Sequence, residues 1–509
     1  MYSSPKPRFT WRWTKARARG NAFRSDRSKT EIGPEPGPGE VFSTTDFEGF
    51  STQDLDFEPA IRSRQYTSLV EAVEAEGPID FDGTPEEELK TLLMLAAEVE
   101  HGLMIQYLYT VYSTVNSGAR RIIRDIAVEE MGHLMTVQNL LISLGHETHF
   151  GRYDWNPDPT FAPFPFQLEP LSAAAIAKFA AAEMPEEVDP NEEDILQDIL
   201  KEATISAGMT PHRVGVLYAK IYWLLRSGDE ELADPTEEPW QDFPVKLFAK
   251  LYPGRHIASF PADTHLPRQA KHDVWAEQED DLRLGLVSGR ESALRNIASI
   301  SDQGEGFAST GDSDENDAHF DEFAGVFRTL VSNPPPQAPL AHPVPRIPWY
   351  EGNGNPGEEE NRITSPDGKR FAALSDSLYE ITLLTIRLHL ELSRDSNQQF
   401  RLGLSKNSIA AMTDGLKDIA DLLVGLERHA DQSNALDLTC GPPFNRPNVE
   451  PGTEPEGLTV RLGDAAEELR QLALNVESTT EISSRRRSAK RVRRKVAEPM
   501  IKLLKSQVA

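Results

Sequence analysis

The fold is decided by two stretches near the start of the chain: residues 95–109, LAAEVEHGLMIQYLY, and residues 129–141, EEMGHLMTVQNLL. Apolar residues recur every three or four positions around each stretch, which predicts amphipathic helices over 85–115 and 118–144. The connection between them is short, so we expect the two helices to pack antiparallel as a hairpin.

Three polar residues interrupt the apolar faces of these helices. Glu100 lies in the stripe of the first helix, and Glu130 and His133 lie side by side in the stripe of the second. A buried carboxylate without a partner is costly, so it needs a cation or a proton. A Glu that faces Glu-x-x-His on an antiparallel neighbour is half of a carboxylate-bridged metal site. Glu98 and Glu129 point elsewhere on their helices and are expected to be surface charges.

The two stretches resemble the first two helices of the ferritin-like family that includes the iminophenylpyruvate dimer synthases. This family is related to the chromopyrrolic-acid-type synthases of violacein and rebeccamycin biosynthesis. The resemblance covers roughly residues 85–475. Further matching segments occur in the family's order: PFQLEPL at 165–171, QGEG at 303–306, His319-Phe320 with Phe323, and GPPF at 441–444.

The resemblance implies an all-α fold, a ferritin-like four-helix bundle with long irregular loops and an appended C-terminal helical region. It also implies a metal-dependent oxidoreductase or oxidative coupling enzyme of specialised metabolism. Its substrate would be a small molecule derived from an aromatic amino acid.

The sequence departs from the family's dinuclear pattern in its second half. That pattern takes a Glu from the third helix and a second Glu-x-x-His from the fourth. We align the third-helix position with Val216, which cannot coordinate a metal, and Asn316 stands three residues before His319. Asp314, Glu315 or Asp317 would substitute only if the helix begins late.

The sequence therefore predicts one divalent metal at Glu100, Glu130 and His133, with His319 as a fourth ligand and no second metal. Carboxylate and imidazole ligands suit iron, manganese or zinc, and we take iron as the first choice. The catalytic candidates are Glu305, as a metal ligand, a catalytic acid or a carboxylate that fixes the glycine turns, and Tyr107, as a hydrogen-bond donor near Glu100 or a core residue.

The rest of the chain is predicted to be helical, with irregular connections. Further helices are expected at about 172–183, 192–205, 209–227, 285–301, 316–331, 371–394, 406–430 and 461–476. The predicted organisation is a disordered basic and Pro/Gly arm (1–60), the bundle (85–331), a Pro/Gly connector (332–370), a helical region that packs on the bundle (371–476), and a basic tail (477–509). We expect residues from about 480 to 509 to lack a packed core.

Charge is unevenly distributed along the 509 residues, whose formal net charge is −28. Residues 1–30 and 481–509 each carry +8, which leaves −44 for the body between them. An acidic body of this size repels nucleic acid. The segment 485–495 holds eight Lys or Arg in eleven positions. We expect it to dock on the acidic body, in the same or a neighbouring subunit, rather than on nucleic acid or a membrane.

Two other function classes remain open at this point. The runner-up is a ferritin-like binding or assembly subunit with a degenerate metal site and no catalysis, which Val216 and Asn316 favour. An iron-storage or peroxide-consuming ferritin relative is weaker, because storage ferritins are far shorter. A single cysteine, Cys440, permits a reducing compartment. We expect a homo-oligomer in the cytoplasm without a transmembrane segment, with organelle import through the basic arm as an alternative.

Overall fold

The first long helix begins where its capping signals predict. Thr84 accepts a hydrogen bond from the backbone N–H of Glu87, whose side chain accepts one from the N–H of Thr84, and Pro85 follows the cap. Asn116 caps the second helix by accepting a hydrogen bond from the backbone N–H of Ala119. The two helices, Pro85–Ser113 (α1) and Ser117–Ser143 (α2), pack as the predicted antiparallel hairpin.

The computed structural model describes most of the chain from residue 81 onward, and the arm predicted over 1–60 lies outside the described residues. The described residues are 81, 83–153, 162–185, 193–228, 240, 243–261, 266–275, 282–305, 319–332, 339–351, 358–392, 394–430, 438–445 and 454–508.

The described residues form an all-α fold, as the sequence predicts, with isolated bridges but no strand among them. No helix among them is long and apolar enough to cross a membrane. After α1 and α2 the α-helices are Ala173–Ala182 (α3), Glu193–Ala207 (α4), Val214–Leu225 (α5), Val245–Leu251 (α6), His272–Trp275 (α7), Arg290–Ile300 (α8), His319–Val331 (α9), Pro366–Glu391 (α10), Arg394–Ala410 (α11), Lys417–Leu423 (α12), Pro455–Thr479 (α13), Ser483–Val492 (α14) and Glu498–Val508 (α15).

The helices that surround the candidate site come from the first half of the chain. α3 packs against α4 and α9, α5 packs against α1, and α9 also contacts α2. A π-helical turn, Ser301–Glu305, extends α8 toward the same place. In the second half α10 packs against α13. The first and second halves of the chain are in contact at His101 of α1, whose Nε2 lies 2.6 Å from the hydroxyl oxygen of Tyr379 on α10.

Several predicted boundaries in the second half are wrong. α10 begins at Pro366, inside the predicted connector, because Ser365 caps it and proline suits the first turn. The helix predicted at 406–430 is the continuation of a longer one that begins at Arg394 and passes through a π-helical turn at Ala411–Leu416.

The prediction that residues 480–509 lack a packed core is also wrong. Val492, Val496 and Met500 are fully buried within α14, α15 and the π-helical turn between them. The basic residues lie around this apolar stripe, and two of them, Arg485 and Arg491, form ion pairs with acids on α10 and α12.

Candidate metal centre

The hairpin brings Glu100, Glu130 and His133 together. Their side chains are buried, and the atoms that would ligate a metal all lie within 4.8 Å of one another. The Nδ1 atom of His133 lies 3.0 Å from Oε2 of Glu130 and 3.8 Å from Oε2 of Glu100. The geometry follows from spacing alone, since positions i and i+3 share one face of α2 and the antiparallel neighbour presents Glu100 to it.

A fourth acidic residue, Glu183, completes a second group. It follows the last residue of α3, a helix whose residues Ala175–Ala182 are all buried, and it lies four positions after Phe179 on the same face. Pro185 then prevents the helix from continuing. Glu183 is itself fully buried, and the group Glu130, Glu183 and His319 again has its ligand atoms within 4.8 Å.

His319 joins this second group as the first residue of α9. Its Nδ1 atom lies 3.2 Å from Oε1 of Glu130 and 3.8 Å from Oε2 of Glu183. The two groups therefore share Glu130, which presents one oxygen to each histidine. The imidazole rings stand 5.9 Å apart, centre to centre.

The expectation that only one half of the site has its carboxylates is wrong. Val216, to which we aligned the third-helix carboxylate, is a buried residue of α5, and the carboxylate comes from Glu183 on α3 instead. Asn316 and the neighbouring acids that were considered as substitutes lie outside the described residues. The centre therefore has two similar halves, each with one histidine and two carboxylates.

The atoms at this centre fit divalent metal ions. Among the residues that the structure describes, four buried atoms of this cluster have no hydrogen-bond partner: Oε2 of Glu100, Oε1 of Glu130, Oε2 of Glu183 and Nδ1 of His319. Neighbouring ligand atoms of one metal lie about 3–4 Å apart, given metal–ligand bonds of about 2.0–2.2 Å. The distances of 3.0–3.8 Å on either side of Glu130 meet this requirement.

Two buried tyrosines hold the outer carboxylates. Tyr218 of α5 donates a hydrogen bond to Oε1 of Glu100, and Tyr107 of α1 donates one to Oε1 of Glu183 at 2.5 Å. In each carboxylate this leaves the other oxygen, Oε2, facing the cluster. Tyr107 is also packed against Phe179 and Phe323, so it is both a core residue and a hydrogen-bond donor.

The outward nitrogen of each histidine has a partner as well. Nε2 of His133 lies 3.2 Å from the amide oxygen of Gln303, and Nε2 of His319 lies 2.9 Å from Oε2 of Glu129. The expectation that Glu129 is an ordinary surface charge is therefore wrong. Glu98 is partly exposed and lies outside the cluster, where its Oε1 is 2.8 Å from Nε2 of His149.

The catalytic candidate Glu305 is the last residue of the π-helical turn, but its side chain is outside the described part of the chain. Its role as an acid or ligand stays a prediction. Gln303 of the same turn reaches His133, a contact that sequence spacing alone does not reveal.

Burial and crowding of like charges shift the pKa values at this centre. Burial, reinforced by the neighbouring carboxylate of Glu130, holds the pKa of Glu100 well above its usual range. Burial and the charge of Glu183 likewise raise the pKa of Glu130. Burial alone would lower the pKa of His319, but the surrounding carboxylates of Glu129, Glu130 and Glu183 favour its protonated form and raise that pKa well above the usual value.

These shifts predict that the metal-free protein loses stability as pH rises from about 5 to about 8. The folded state keeps protons on Glu100 and Glu130 that the unfolded chain releases above about pH 4.3, and on His319 one released above about pH 6.5. A folded state that holds more protons than the unfolded state is destabilised by rising pH. Urea titrations of metal-free protein across this range test the expectation. In the double variant E100Q/E130Q the free energy of unfolding should depend less on pH. An unchanged pH dependence would contradict our assignment of the effect to these carboxyl groups.

A close backbone approach beside the centre explains the glycine of Glu-Met-Gly-His. A Cβ atom on Gly132 would lie 2.4 Å from the carbonyl oxygen of Arg283, a backbone atom that cannot turn aside. We expect Gly132→Ala to lower the free energy of unfolding by about 1–3 kcal/mol, as overpacking does. Chemical denaturation measures this.

The matched control for that substitution is Gly325→Ala. Gly325 lies in α9 with open space around its Cβ position, so alanine should raise stability by up to about 1 kcal/mol through helix propensity. Equal changes in the free energy of unfolding for Gly132→Ala and Gly325→Ala would contradict the close approach of the Arg283 carbonyl to Gly132.

The comparisons with known proteins agree with the geometry. Residues 93–328 match the ferritin-like family model, and this segment contains all five residues of the two groups. The chain is 24% identical over 404 residues to dichlorochromopyrrolate synthase of Lentzea aerocolonigenes, covering 71% of this chain and 36% of that protein. It is also 24% identical over 400 residues to 2-imino-3-(indol-3-yl)propanoate dimerase of Chromobacterium violaceum, covering 71% and 34%.

The chain thus spans about a third of the length of the curated relatives it matches. A crystal structure of a ferritin-like protein from Caulobacter vibrioides aligns with 57% of this chain and 83% of its own, at 17% identity and a TM-score of 0.33. The resemblance that the sequence motifs carry is confirmed by the family match and the two relatives.

Proposed function

We propose that this chain, which carries a ferritin-like domain over residues 93–328, is a metal-dependent oxidoreductase that couples two small molecules derived from an aromatic amino acid. The observation that carries the proposal is the pair of buried groups that share Glu130, with their orphan atoms facing inward. We propose two divalent metal ions, iron first, in place of the single ion that the sequence predicted.

The residues at the centre would divide the work between binding and positioning. Glu100 and His133 would hold one metal, Glu183 and His319 the other, and Glu130 would bridge them. Iron bound at these residues would supply one-electron oxidation chemistry. Tyr107 and Tyr218 orient the outer carboxylates, so that one oxygen of each stays directed at a metal. Burial of all five residues keeps bulk water from the ligands.

The proposed reaction class is an oxidative dimerisation. Two substrate molecules would form one new carbon–carbon bond and together lose two protons and two electrons. The electrons would pass to an added oxidant, dioxygen or hydrogen peroxide, which is reduced in turn. The aromatic imine class of substrate is supported by the printed names of the two relatives, a chromopyrrolate synthase and an iminopropanoate dimerase.

The remaining parts of the proposal concern the whole protein. We propose a homo-oligomer in the cytoplasm, where a single buried cysteine raises no redox problem. We also propose that the segment 485–495 stays on the acidic body rather than binding nucleic acid. The ion pairs of Arg485 and Arg491 with Asp367 and Asp418 support this placement.

The test compares the same protein loaded with iron and with zinc. Zinc accepts the same ligands but has no redox chemistry. Each form is mixed with an aromatic 2-oxo acid, ammonia and hydrogen peroxide, and the products are analysed by mass spectrometry. We expect a dimer lighter than two imines by two hydrogen atoms with iron only. Equal dimer formation by the iron, zinc and metal-free forms would contradict the proposal, and two bound irons without any product would favour the binding-subunit class.

A further inference from the structure

The two halves of the centre match in their inner groups. Each offers one histidine Nδ1 atom, one oxygen of Glu130 and one oxygen of a second carboxylate, Glu100 or Glu183. Each second carboxylate also accepts a hydrogen bond from one buried tyrosine. Any difference in metal binding between the halves must therefore come from outside this inner set.

The halves differ at the outward nitrogens of the histidines. His133 faces the neutral amide oxygen of Gln303 at 3.2 Å, whereas His319 faces a carboxylate oxygen of Glu129 at 2.9 Å. A carboxylate that accepts the Nε2 proton fixes the tautomer with Nδ1 free to ligate, and it increases the electron donation of that nitrogen. An amide oxygen fixes the same tautomer without adding a negative charge.

We propose that Glu129 and Gln303 are positioning residues that make the two metal positions unequal, so that the position at Glu183 and His319 binds a divalent cation more tightly than the position at Glu100 and His133. This inference rests on the proposed function. It adds an order of loading: the position next to Glu129 fills first. The second metal would then enter beside a bridging carboxylate that already has a cation on one side, which widens the difference.

The charge of Glu129 matters more than its hydrogen bond, because Gln303 supplies a hydrogen bond of the same kind. A swap of residue types therefore separates the two effects. Glu129→Gln keeps an acceptor oxygen and removes the charge, while Gln303→Glu adds a charge at the equivalent place in the other half. Glu129→Gln is expected to weaken binding of the divalent cation, and Gln303→Glu is expected to strengthen it.

The experiment is calorimetric titration of Mn²⁺ into the metal-free, full-length protein. We expect two binding steps in the unsubstituted protein. Glu129→Gln should weaken the tighter step about 10–100-fold, the usual effect of losing a partner of a metal-bound histidine. Gln303→Glu should tighten the weaker step. His319→Ala should remove the tighter step and leave the weaker one.

The matched control is Glu98→Gln. Glu98 resembles Glu129 in its hydrogen bond to a histidine, 2.8 Å against 2.9 Å, and in exposure, 28% against 27%, but it lies outside both groups. It should change neither step.

Four outcomes would overturn the inference. Two Mn²⁺ binding steps of equal affinity in the unsubstituted protein would overturn this inference and leave the proposed function intact. An equal loss of Mn²⁺ affinity in Glu129→Gln and Glu98→Gln would also overturn this inference. So would a gain of Mn²⁺ affinity in Gln303→Glu at the tighter step instead of the weaker one, and misfolding cannot produce such a gain. Absence of any Mn²⁺ binding by the unsubstituted protein would overturn the proposed function itself, and this inference with it.

Discussion

Replacing Glu130 by alanine is expected to abolish binding at both metal positions and, with it, all coupling activity. Glu130 belongs to both groups, and each of its oxygens lies within 3.2 Å of a different histidine nitrogen. Removing a partner outside the ligands already lowers metal affinity about 10–100-fold, so loss of the shared ligand should exceed about 100-fold at each position. Metal analysis after loading and gel filtration measures this directly.

The control for this substitution is Glu98→Ala, which removes a carboxylate from α1 outside the centre. It should keep both metals. Circular dichroism of the metal-free proteins separates loss of ligands from loss of fold. Retention of even one tightly bound metal by folded Glu130→Ala would show that Glu130 is not the shared ligand.

The second large effect is expected from Glu183→Ala, which should reduce the bound metal from two ions to one. The position that remains uses Glu100, Glu130 and His133, none of which contacts Glu183 through a hydrogen bond in the described part of the chain. Activity should fall at least about 100-fold if both metals are required, by the same reasoning on ligand loss. The counterpart Glu100→Ala should also leave one ion, at the other position.

The two substitutions together test whether the site has two independent outer ligands. Binding of two ions by Glu183→Ala would mean that the carboxylate of Glu183 is not a ligand that the second position requires. Binding of none, in a folded protein, would mean that the two positions fill only as a unit.

The sequence allowed half of the centre to be predicted. Glu100, Glu130 and His133 interrupt strongly periodic helices, where spacing alone determines which residues share a face. The same reasoning applies to Glu183, which follows Ile176 and Phe179 at spacings of seven and four. This signal is weak because the helix around it is short, and an acidic run begins three residues later, at Glu186.

Other features depend on how distant segments meet. Glu129 lies beside Glu130 in sequence but about 100° away on the helix, so its role follows only from where α9 begins. Gln303 reaches His133 through a π-helical turn, and such turns are common at functional sites but have no clear sequence signature. Neither contact could be predicted from periodicity.

The helical tail was missed for a different reason. Ala489, Val492, Val496 and Met500 recur at spacings of three and four, which is the signal of a buried helical face. The eight basic residues of segment 485–495 obscure this apolar stripe in the sequence. Long basic side chains can lie at the edges of a buried face with their charges in water, so high charge does not exclude packing.

The most direct test of the central claim is electron paramagnetic resonance of the protein loaded with two equivalents of Mn²⁺. Two ions that shared the carboxylate of Glu130 would lie close enough for magnetic exchange. We expect an exchange-coupled spectrum that disappears in Glu130→Ala. The signal of isolated Mn²⁺ ions at full loading, or saturation at a single equivalent, would contradict it.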